Sequence, residues 1–120
     1  FLSIGTNDLT QYTMAASRID SKVSDLQDPL YPAVLRSINQ TVKNGRENEA
    51  WIGMCGEMAG NSELTEFLAG IGLDELSMSS GLIPEVKNNV KEIEISEAEK
   101  AKDKALEAST REKVEEILGL

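Results

Sequence analysis

The sequence predicts an α/β fold in which short strands alternate with helices, and three observations support this class. Short apolar segments recur along the first 93 residues, and each is followed by glycine or polar residues. Between them lie stretches with apolar residues at helical spacing, as in helices with one buried face. Aromatic residues make up only 4% of the chain, so the core should be mainly aliphatic. Such alternation implies parallel strands joined by right-handed crossovers.

The first strand–helix unit occupies the start of the chain. Residues 1–4 are a short apolar run that predicts a strand, and residues 8–16 predict a short helical segment. A polar loop over 18–30 contains an Asp-Pro turn signal. A proline then opens a helix predicted over 32–44, and Gly45 is its expected end.

Two further units follow with the same order. Residues 50–54 predict the second strand, and a glycine-rich loop occupies 55–60. The next helix is predicted over 61–69, with an asparagine or serine cap at its start and two glycines after it. Residues 75–78 predict a third strand, and a helix opened by a proline should run to about residue 93.

The tail of the chain has a different composition, with many charges and no strand pattern. Ser96 with Glu99 and Ser109 with Glu112 both fit the capping box that begins a helix. Alanine and aliphatic residues recur between these charges. We therefore expect two amphipathic helices that pack on the body or on another chain.

Three strands are few for a parallel sheet that must be covered on both faces. They are better explained as the last three βα units of an eight-stranded TIM (β/α)8 barrel, which takes about 250 residues. We therefore expect residues 1–93 to form a partial barrel domain and residues 94–120 an acidic helical extension. The start at Phe1, inside a predicted strand, suggests a piece of a longer polypeptide.

Composition excludes several classes of function. The net charge of −9 argues against nonspecific nucleic-acid binding, which needs a basic surface. No run of 18 apolar residues predicts a membrane span, and no secretory leader pattern is present. One cysteine and no histidine disfavour a zinc site and exclude a Cys-His nucleophile pair within the chain. A lone cysteine also fits a reducing cytoplasm.

Polar residues at the end of the first strand are candidates for ligand binding. Asn7 and Asp8 follow the strand directly, where α/β sheets bind their ligands. The Asp8 carboxylate suits magnesium, which is held by one or two carboxylates together with substrate phosphate and water. Alternatively, both residues only cap the segment after the strand. Arg18 suits bidentate phosphate recognition, although an exposed arginine is commonly only a solvated surface residue.

Cys55 directly follows the second predicted strand and lies between Met54 and Gly56. A free cysteine usually behaves as a small buried hydrophobe. At a strand end beside glycines, however, a thiol near a cation or phosphate clamp can exchange a proton with substrate near neutral pH. Glu57 could support this loop, and the sequence does not decide its role.

Five segments with distinctive sequences cover about residues 1–90 in order. They are Gly5-Thr6-Asn7-Asp8-Leu9-Thr10-Gln11-Tyr12, Ala15-Ala16-Ser17-Arg18, Asp28-Pro29 with Pro32-Ala33-Val34-Leu35-Arg36, Gly53-Met54-Cys55-Gly56-Glu57-Met58-Ala59-Gly60 and Gly72-Leu73-Asp74-Glu75-Leu76-Ser77-Met78-Ser79. Together they resemble Enzyme I, the phosphoenolpyruvate-protein phosphotransferase of the bacterial sugar phosphotransferase system. The first is shared with pyruvate phosphate dikinase and phosphoenolpyruvate synthase, whereas the fourth favours Enzyme I.

The resemblance implies a phosphoenolpyruvate-binding barrel and a role for four residues. Asp8 resembles a magnesium ligand and Asn7 a phosphoenolpyruvate contact. Arg18 resembles the arginine that grips the substrate phosphate, and Cys55 the acid that protonates the enolate to give pyruvate. These roles agree with phosphoryl transfer as a reaction of charge neutralisation and positioning.

Some parts of the family pattern differ or lie outside this chain. Asn61 and Ser17 stand where the family often has aspartate, and neither has a predicted chemical role. The family's phosphoacceptor histidine, a second carboxylate metal ligand and further arginines come from earlier regions. Residues 91–120 carry no motif that resembles the family.

The resemblance implies a cytoplasmic, homodimeric parent enzyme that phosphorylates its own histidine and then the phosphocarrier histidine protein. We expect the chain alone to be inactive and, as an open partial barrel, to self-associate or fold loosely. Two alternatives are a fragment of phosphoenolpyruvate synthase or pyruvate phosphate dikinase, and a noncatalytic dimerisation or interaction module.

Overall fold

The computed structural model describes residues 1–120 as three strands and six α-helices in mostly alternating order. Short 3-10 turns occupy Ser21–Leu26, Met58–Gly60 and Ser62–Leu64. The strands and helices are β1 (Leu2–Gly5), α1 (Thr6–Met14), α2 (Pro32–Glu47), β2 (Ile52–Cys55), α3 (Thr65–Ile71), β3 (Glu75–Ser77), α4 (Ile83–Glu92), α5 (Ile95–Glu107) and α6 (Arg111–Leu118).

The three strands form one parallel sheet in the order β1-β2-β3. Ile4 is opposite Met54, and Gly5 is opposite Cys55. Cys55 is in turn opposite Ser77 of β3, so the carboxyl ends of all three strands meet at one edge of the sheet. The predicted α/β class with parallel strands is therefore confirmed, while the assignment of these units to a partial TIM barrel stays a prediction.

The core is a single apolar cluster between the sheet and the helices. The second helix contributes the side chains predicted from its spacing, and Val34, Leu35 and Ile38 are fully buried. Ile52 and Met54 of β2 and Phe67 and Leu68 of α3 belong to the same cluster. Aliphatic residues dominate it, as the composition predicted.

Two glycines predicted to end helices lie inside them instead. Gly45 is a buried residue of α2, which continues to Glu47. A Cβ at Gly45 would lie 2.8 Å from the Ile52 side chain, so the helix needs glycine there to approach the sheet. Gly70 likewise lies within α3, and Gly72, with a φ of 89°, forms the helix end. The predicted helix end at Gly45 was wrong. Glycine is needed at this position for close packing of the helix against the sheet and not for ending the helix.

Both tail helices exist, but neither begins at its predicted capping box. Helix α5 has Glu94 as its N-cap, and the hydroxyl of Ser96, inside the helix, donates to Glu94 Oε1 at 3.3 Å. Helix α6 begins one residue later than expected. Its N-cap is Thr110, which has an extended backbone and a hydroxyl oxygen that accepts a hydrogen bond from the Lys113 N–H at 3.3 Å.

The tail packs on the body, which was one of the two predicted alternatives. Helix α5 lies across α3, and its residues Ala98 and Ala105 are fully buried. A Cβ on Gly70 would lie only 2.4 Å from the carbonyl oxygen of Ala98, so the two helix backbones approach each other directly. Helix α6 packs against α5 and buries Val114.

None of the helices combines the length and the apolar character needed to cross a membrane.

Candidate functional site

The candidate site lies at the edge of the sheet where the three strands end. Gly5, Cys55 and Ser77 are neighbours in register at this edge. Cys55 is one of the four predicted site residues, and two others, Asn7 and Asp8, lie in the segment that follows β1. This arrangement agrees with the general rule that α/β sheets bind ligands beyond the carboxyl ends of their strands.

A cavity of about 360 Å³ opens at this edge and is lined by residues that follow all three strands. Of the four predicted site residues, only Asn7 lines it. Glu57, whose role the sequence left open, also lines it and is exposed. The remaining lining residues are Gly56, Gly60, Ser77, Met78, Ser79 and Leu82.

Asp8 and Arg18 lie together although they are ten positions apart in the sequence. Arg18 Nη1 is 3.9 Å from Asp8 Oδ1, and their side chains are 48% and 74% exposed. The backbone N–H of Arg18 donates to Gln11 Oε1 at 2.9 Å, which holds the loop against α1. Both charged groups are therefore accessible to a ligand from solvent.

Asn7 and Asp8 do not cap α1 with their side chains. The N-cap of this helix is Gly5, and no side chain provides a capping hydrogen bond. Asp8 lies in the first turn, where a carboxylate interacts favourably with the helix dipole. The capping alternative is therefore wrong, and the Asp8 carboxylate is left available for a ligand.

Cys55 is a free, exposed cysteine, so the alternative of a buried structural thiol is wrong. Its sulfur lies next to the end of β1, because a Cβ built on Gly5 would be 4.0 Å from Cys55 Sγ. This distance is an ordinary van der Waals contact, so the end of β1 and the thiol are direct neighbours.

Thr6 connects the first two strand ends, a role that the sequence did not predict. Its side chain is buried, and its hydroxyl donates to the carbonyl of Cys55 at 3.2 Å. Thr10, also buried, donates its hydroxyl to the Thr6 carbonyl at 2.8 Å. These bonds fix the backbone of Cys55 relative to α1.

Gly56 makes this connection possible. Its φ of 107° is a conformation that favours glycine, and a Cβ there would lie 2.4 Å from Thr6 Oγ1. The glycine after the cysteine was the sequence signal for a special backbone conformation. Its partner, Thr6, lies 50 positions upstream and could not be identified from the local sequence.

The residues of this chain suit magnesium only as one part of its coordination. No group of three or more His, Cys, Asp or Glu side chains is placed so that it could hold a metal ion. The exposed Asp8 carboxylate is an oxygen ligand of the kind that magnesium prefers, and magnesium sites often use only one or two carboxylates with phosphate and water. Asp8 therefore fits a single-ligand contribution.

A second cavity, of about 390 Å³, runs along the free edge of β3 between α3 and α4. Eight of its 12 lining residues are hydrophobic, including Leu76, Ile83 and Val90. The strand order is β1-β2-β3, so this groove lies beside one outer strand, whereas Asp8 follows the other outer strand, β1. This apolar groove marks the open side of the sheet.

Comparison with known proteins gives the chain its family. Residues 1–95 match the family described as PEP-utilising enzyme, PEP-binding domain. The chain therefore belongs to the phosphoenolpyruvate-binding domain family of the PEP-utilising enzymes.

Within this family the chain is similar to phosphoenolpyruvate-protein phosphotransferases along its whole length, which confirms the resemblance predicted from its motifs. It is 52% identical over 120 residues to that of Haloferax volcanii, covering 100% of the chain and 21% of the relative. It is 46% identical over 114 residues to that of Bacillus subtilis, covering 95% of the chain and 20% of the relative. The similarity extends into the tail, where the motifs gave no signal. The chain thus spans about a fifth of these relatives.

Proposed function

We propose that this chain is part of an enzyme that transfers the phosphoryl group of phosphoenolpyruvate to a protein histidine and forms pyruvate. This is the first step of the sugar phosphotransferase system. The observation that supports the proposal is that one sheet edge and the segments after it carry an exposed thiol, an amide and a carboxylate, the last of which lies 3.9 Å from a guanidinium. The names of the similar proteins support the same reaction.

Arg18, Asn7 and Asp8 would act on the phosphate end of the substrate. The exposed Arg18 guanidinium can bind phosphate oxygens in a bidentate manner, and Asn7 can donate a hydrogen bond from the cavity. Asp8 would hold magnesium, which when bound neutralises phosphate charge. Because the Asp8 carboxylate and the Arg18 guanidinium lie 3.9 Å apart, both groups are already close to each other before substrate binds.

Cys55 would act on the carbon end. Loss of the phosphoryl group leaves an enolate, and its methylene carbon must gain a proton to give pyruvate. An exposed thiol fixed at a strand end can donate that proton. The Thr6–Cys55 hydrogen bond and the glycine at position 56 would keep the thiol aligned.

The remaining parts of the enzyme would come from outside this chain. We propose that residues 1–93 are the last three βα units of a TIM barrel and that residues 94–120 are its helical extension. The free edge of β3 and the apolar groove beside it support this, because a parallel sheet needs both its edges and its faces covered. The parent would be a cytoplasmic homodimer that passes phosphate to the phosphocarrier histidine protein, and this chain alone would be inactive.

Two other functions remain as alternatives. The first strand-end motif also occurs in phosphoenolpyruvate synthase and pyruvate phosphate dikinase, and an upstream ATP-binding region would favour these enzymes. A noncatalytic dimerisation module would use the apolar groove instead of the strand-end site. The exposed Cys55 thiol, together with the Asp8 side chain that makes no capping hydrogen bond, favours the catalytic proposal.

The experiment is to measure pyruvate formation by the full-length polypeptide that carries this chain. Cys55→Ala should lower the rate by at least about a hundredfold, the contribution typical of a general acid. Dimerisation should be unchanged. Lys43→Gln, an exposed change on α2, is the control and should keep the native rate. Full activity of Cys55→Ala would refute the role of the thiol, and a native enzyme that does not consume phosphoenolpyruvate would refute the reaction.

A further inference from the structure

The last helix of the chain contacts the loop that carries Arg18. Arg111, in the first turn of α6, places its buried Nε 2.9 Å from Asp28 Oδ2. The contact is an ion pair between side chains that are only 32% and 26% exposed, rather than a well-directed hydrogen bond. Arg111 Nη2 also lies 2.6 Å from Glu115 Oε1, which fixes the guanidinium on its own helix.

Asp28, near the end of the loop that carries Arg18, connects this loop to α6. Its Oδ1 accepts a hydrogen bond from the Leu30 N–H at 2.8 Å, so the same carboxylate shapes the exit of the loop toward α2. The preceding residue, Gln27, donates its side-chain amide to the carbonyl of Ala16. Ala16 is two positions before Arg18. A short series of contacts therefore joins α6 to both ends of the loop over residues 15–31.

Helix α6 is itself anchored, so that Arg111 projects from a fixed support. Arg36 of α2 donates from Nε to the Leu106 carbonyl at 3.0 Å and from Nη2 to the Ala108 carbonyl at 2.7 Å. These carbonyls are at the end of α5, just before α6. Val114 of α6 is fully buried in the core that also contains Leu30.

We propose that Arg111 and Asp28 are positioning residues, which hold the loop so that Arg18 is preorganised for the phosphate of the substrate. This inference rests on the proposed function of Arg18. Arg18 is about half exposed, and its one charged partner is Asp8 at 3.9 Å. A guanidinium on a loosely held loop must be ordered when it binds, and that cost weakens binding.

The charges at this contact are favourable over a wide pH range. The hydrogen bond that Arg111 donates to the Glu115 carboxylate and the charge of Asp28 both raise the pKa of Arg111. The guanidinium therefore stays charged at any pH at which the protein works. A pair with both side chains mostly out of water is also less screened by salt than an exposed one.

Hydrogen exchange on the full-length polypeptide tests the link without requiring activity. Asp28→Asn keeps an acceptor for the Leu30 N–H but removes the ion pair, and Arg111→Gln removes it from the other side. Both should accelerate amide exchange in residues 17–27 several-fold and leave α3 unchanged. The control is Lys113→Gln, which breaks only the exposed pair with Glu116 on the same helix. Unchanged loop exchange, or an equal increase along the whole chain, would overturn the proposal.

Kinetics of the full-length enzyme test the consequence for Arg18. Arg111→Gln and Asp28→Asn should each raise KM for phosphoenolpyruvate roughly tenfold with kcat nearly unchanged, as expected when binding alone is weakened. Arg111→Lys, which keeps the charge, should restore part of the affinity. A native KM, or a fall in kcat alone, would overturn the positioning role. A native enzyme that does not use phosphoenolpyruvate would instead refute the proposed function, and exchange would still decide the link.

Discussion

At the scale of single residues, the contact between Thr6 and Gly56 determines the shape of the candidate site. The Thr6 hydroxyl donates to the Cys55 carbonyl, and it occupies the space that a Cβ on Gly56 would need. The contact joins positions 50 residues apart, and neither residue type is unusual by itself. This explains why the sequence predicted Cys55 but not the residue that fixes its backbone.

Replacement of Gly56 should show how much the site depends on this contact. We expect Gly56→Ala to destabilise the protein by about 1–3 kcal/mol, because it combines a strained φ with a steric conflict. Urea unfolding of the chain would measure this. Gly81→Ala is the matched control, since a Cβ there meets no atom within 4 Å and its φ is not positive. Equal stability of the two variants would contradict the proposed constraint.

At the scale of the elements, glycine positions show what sequence patterns can and cannot decide. The existence of helices α2 and α3 was predicted from their apolar spacing, because each buries apolar side chains in the core. The predicted start of the second of these was wrong, since Asn61 caps the 3-10 turn Ser62–Leu64 and α3 begins only at Thr65. Gly45 and Gly70, however, lie inside these helices, whereas Gly72 ends one. A glycine that ends a helix and one that admits a neighbouring backbone look the same in a sequence. Only the packing distinguishes them.

The contact between α3 and α5 depends on Gly70. A methyl group there would lie 2.4 Å from the Ala98 carbonyl oxygen and 2.6 Å from its carbon, so α5 would have to move. We expect Gly70→Ala to lower the free energy of unfolding by about 1–3 kcal/mol, the usual cost of overpacking. Hydrogen exchange should increase in α5 as well. Loss of stability without faster exchange in α5 would contradict the assigned cause.

The start of α6 should contribute to stability at neutral pH and lose this contribution in acid. Glu112 lies in the first turn of this helix. Hydrogen bonds from its own backbone N–H and from the Thr110 hydroxyl are the main causes that lower its pKa. The stabilisation is therefore complete above the ordinary glutamate value of about 4.3 and is lost as the pH falls through the lowered value.

Unfolding of Glu112→Gln between pH 7 and pH 3 tests this sign. The variant should be less stable than the native chain at pH 7, and the difference should shrink toward pH 3. Glu99→Gln, an exposed change on α5, serves as the control. A difference that grows as the pH falls would show that the assigned direction is wrong.

At the scale of the whole molecule, the sheet has two free edges. β1 and β3 each pair only with β2, and an apolar groove follows the β3 edge. The sequence predicted an open sheet, because it contains only three predicted strands. The strands and helices themselves could be predicted because each depends on a local sequence pattern. The local pattern carries no information on what covers these edges.

We expect the isolated chain to self-associate through these edges. Sedimentation equilibrium should give a mass above the 13.1 kDa of one copy, rising with concentration. Because the net charge is −9, low salt should oppose association and higher salt should favour it. A monomer at all concentrations with a sharp cooperative melt would contradict this expectation.

The exposed cysteine has a practical consequence. Cys55 is the sole thiol of the chain, so any thiol-directed label attaches at a single atom on the last residue of β2. The rate of that labelling then reports on the strand-end site itself, and a molecule bound there should slow it in proportion to occupancy. Native protein can thus be assayed for ligands without an engineered probe. The same exposure leaves this one sulfur open to oxidants, so samples stored without reductant would lose the reporter first.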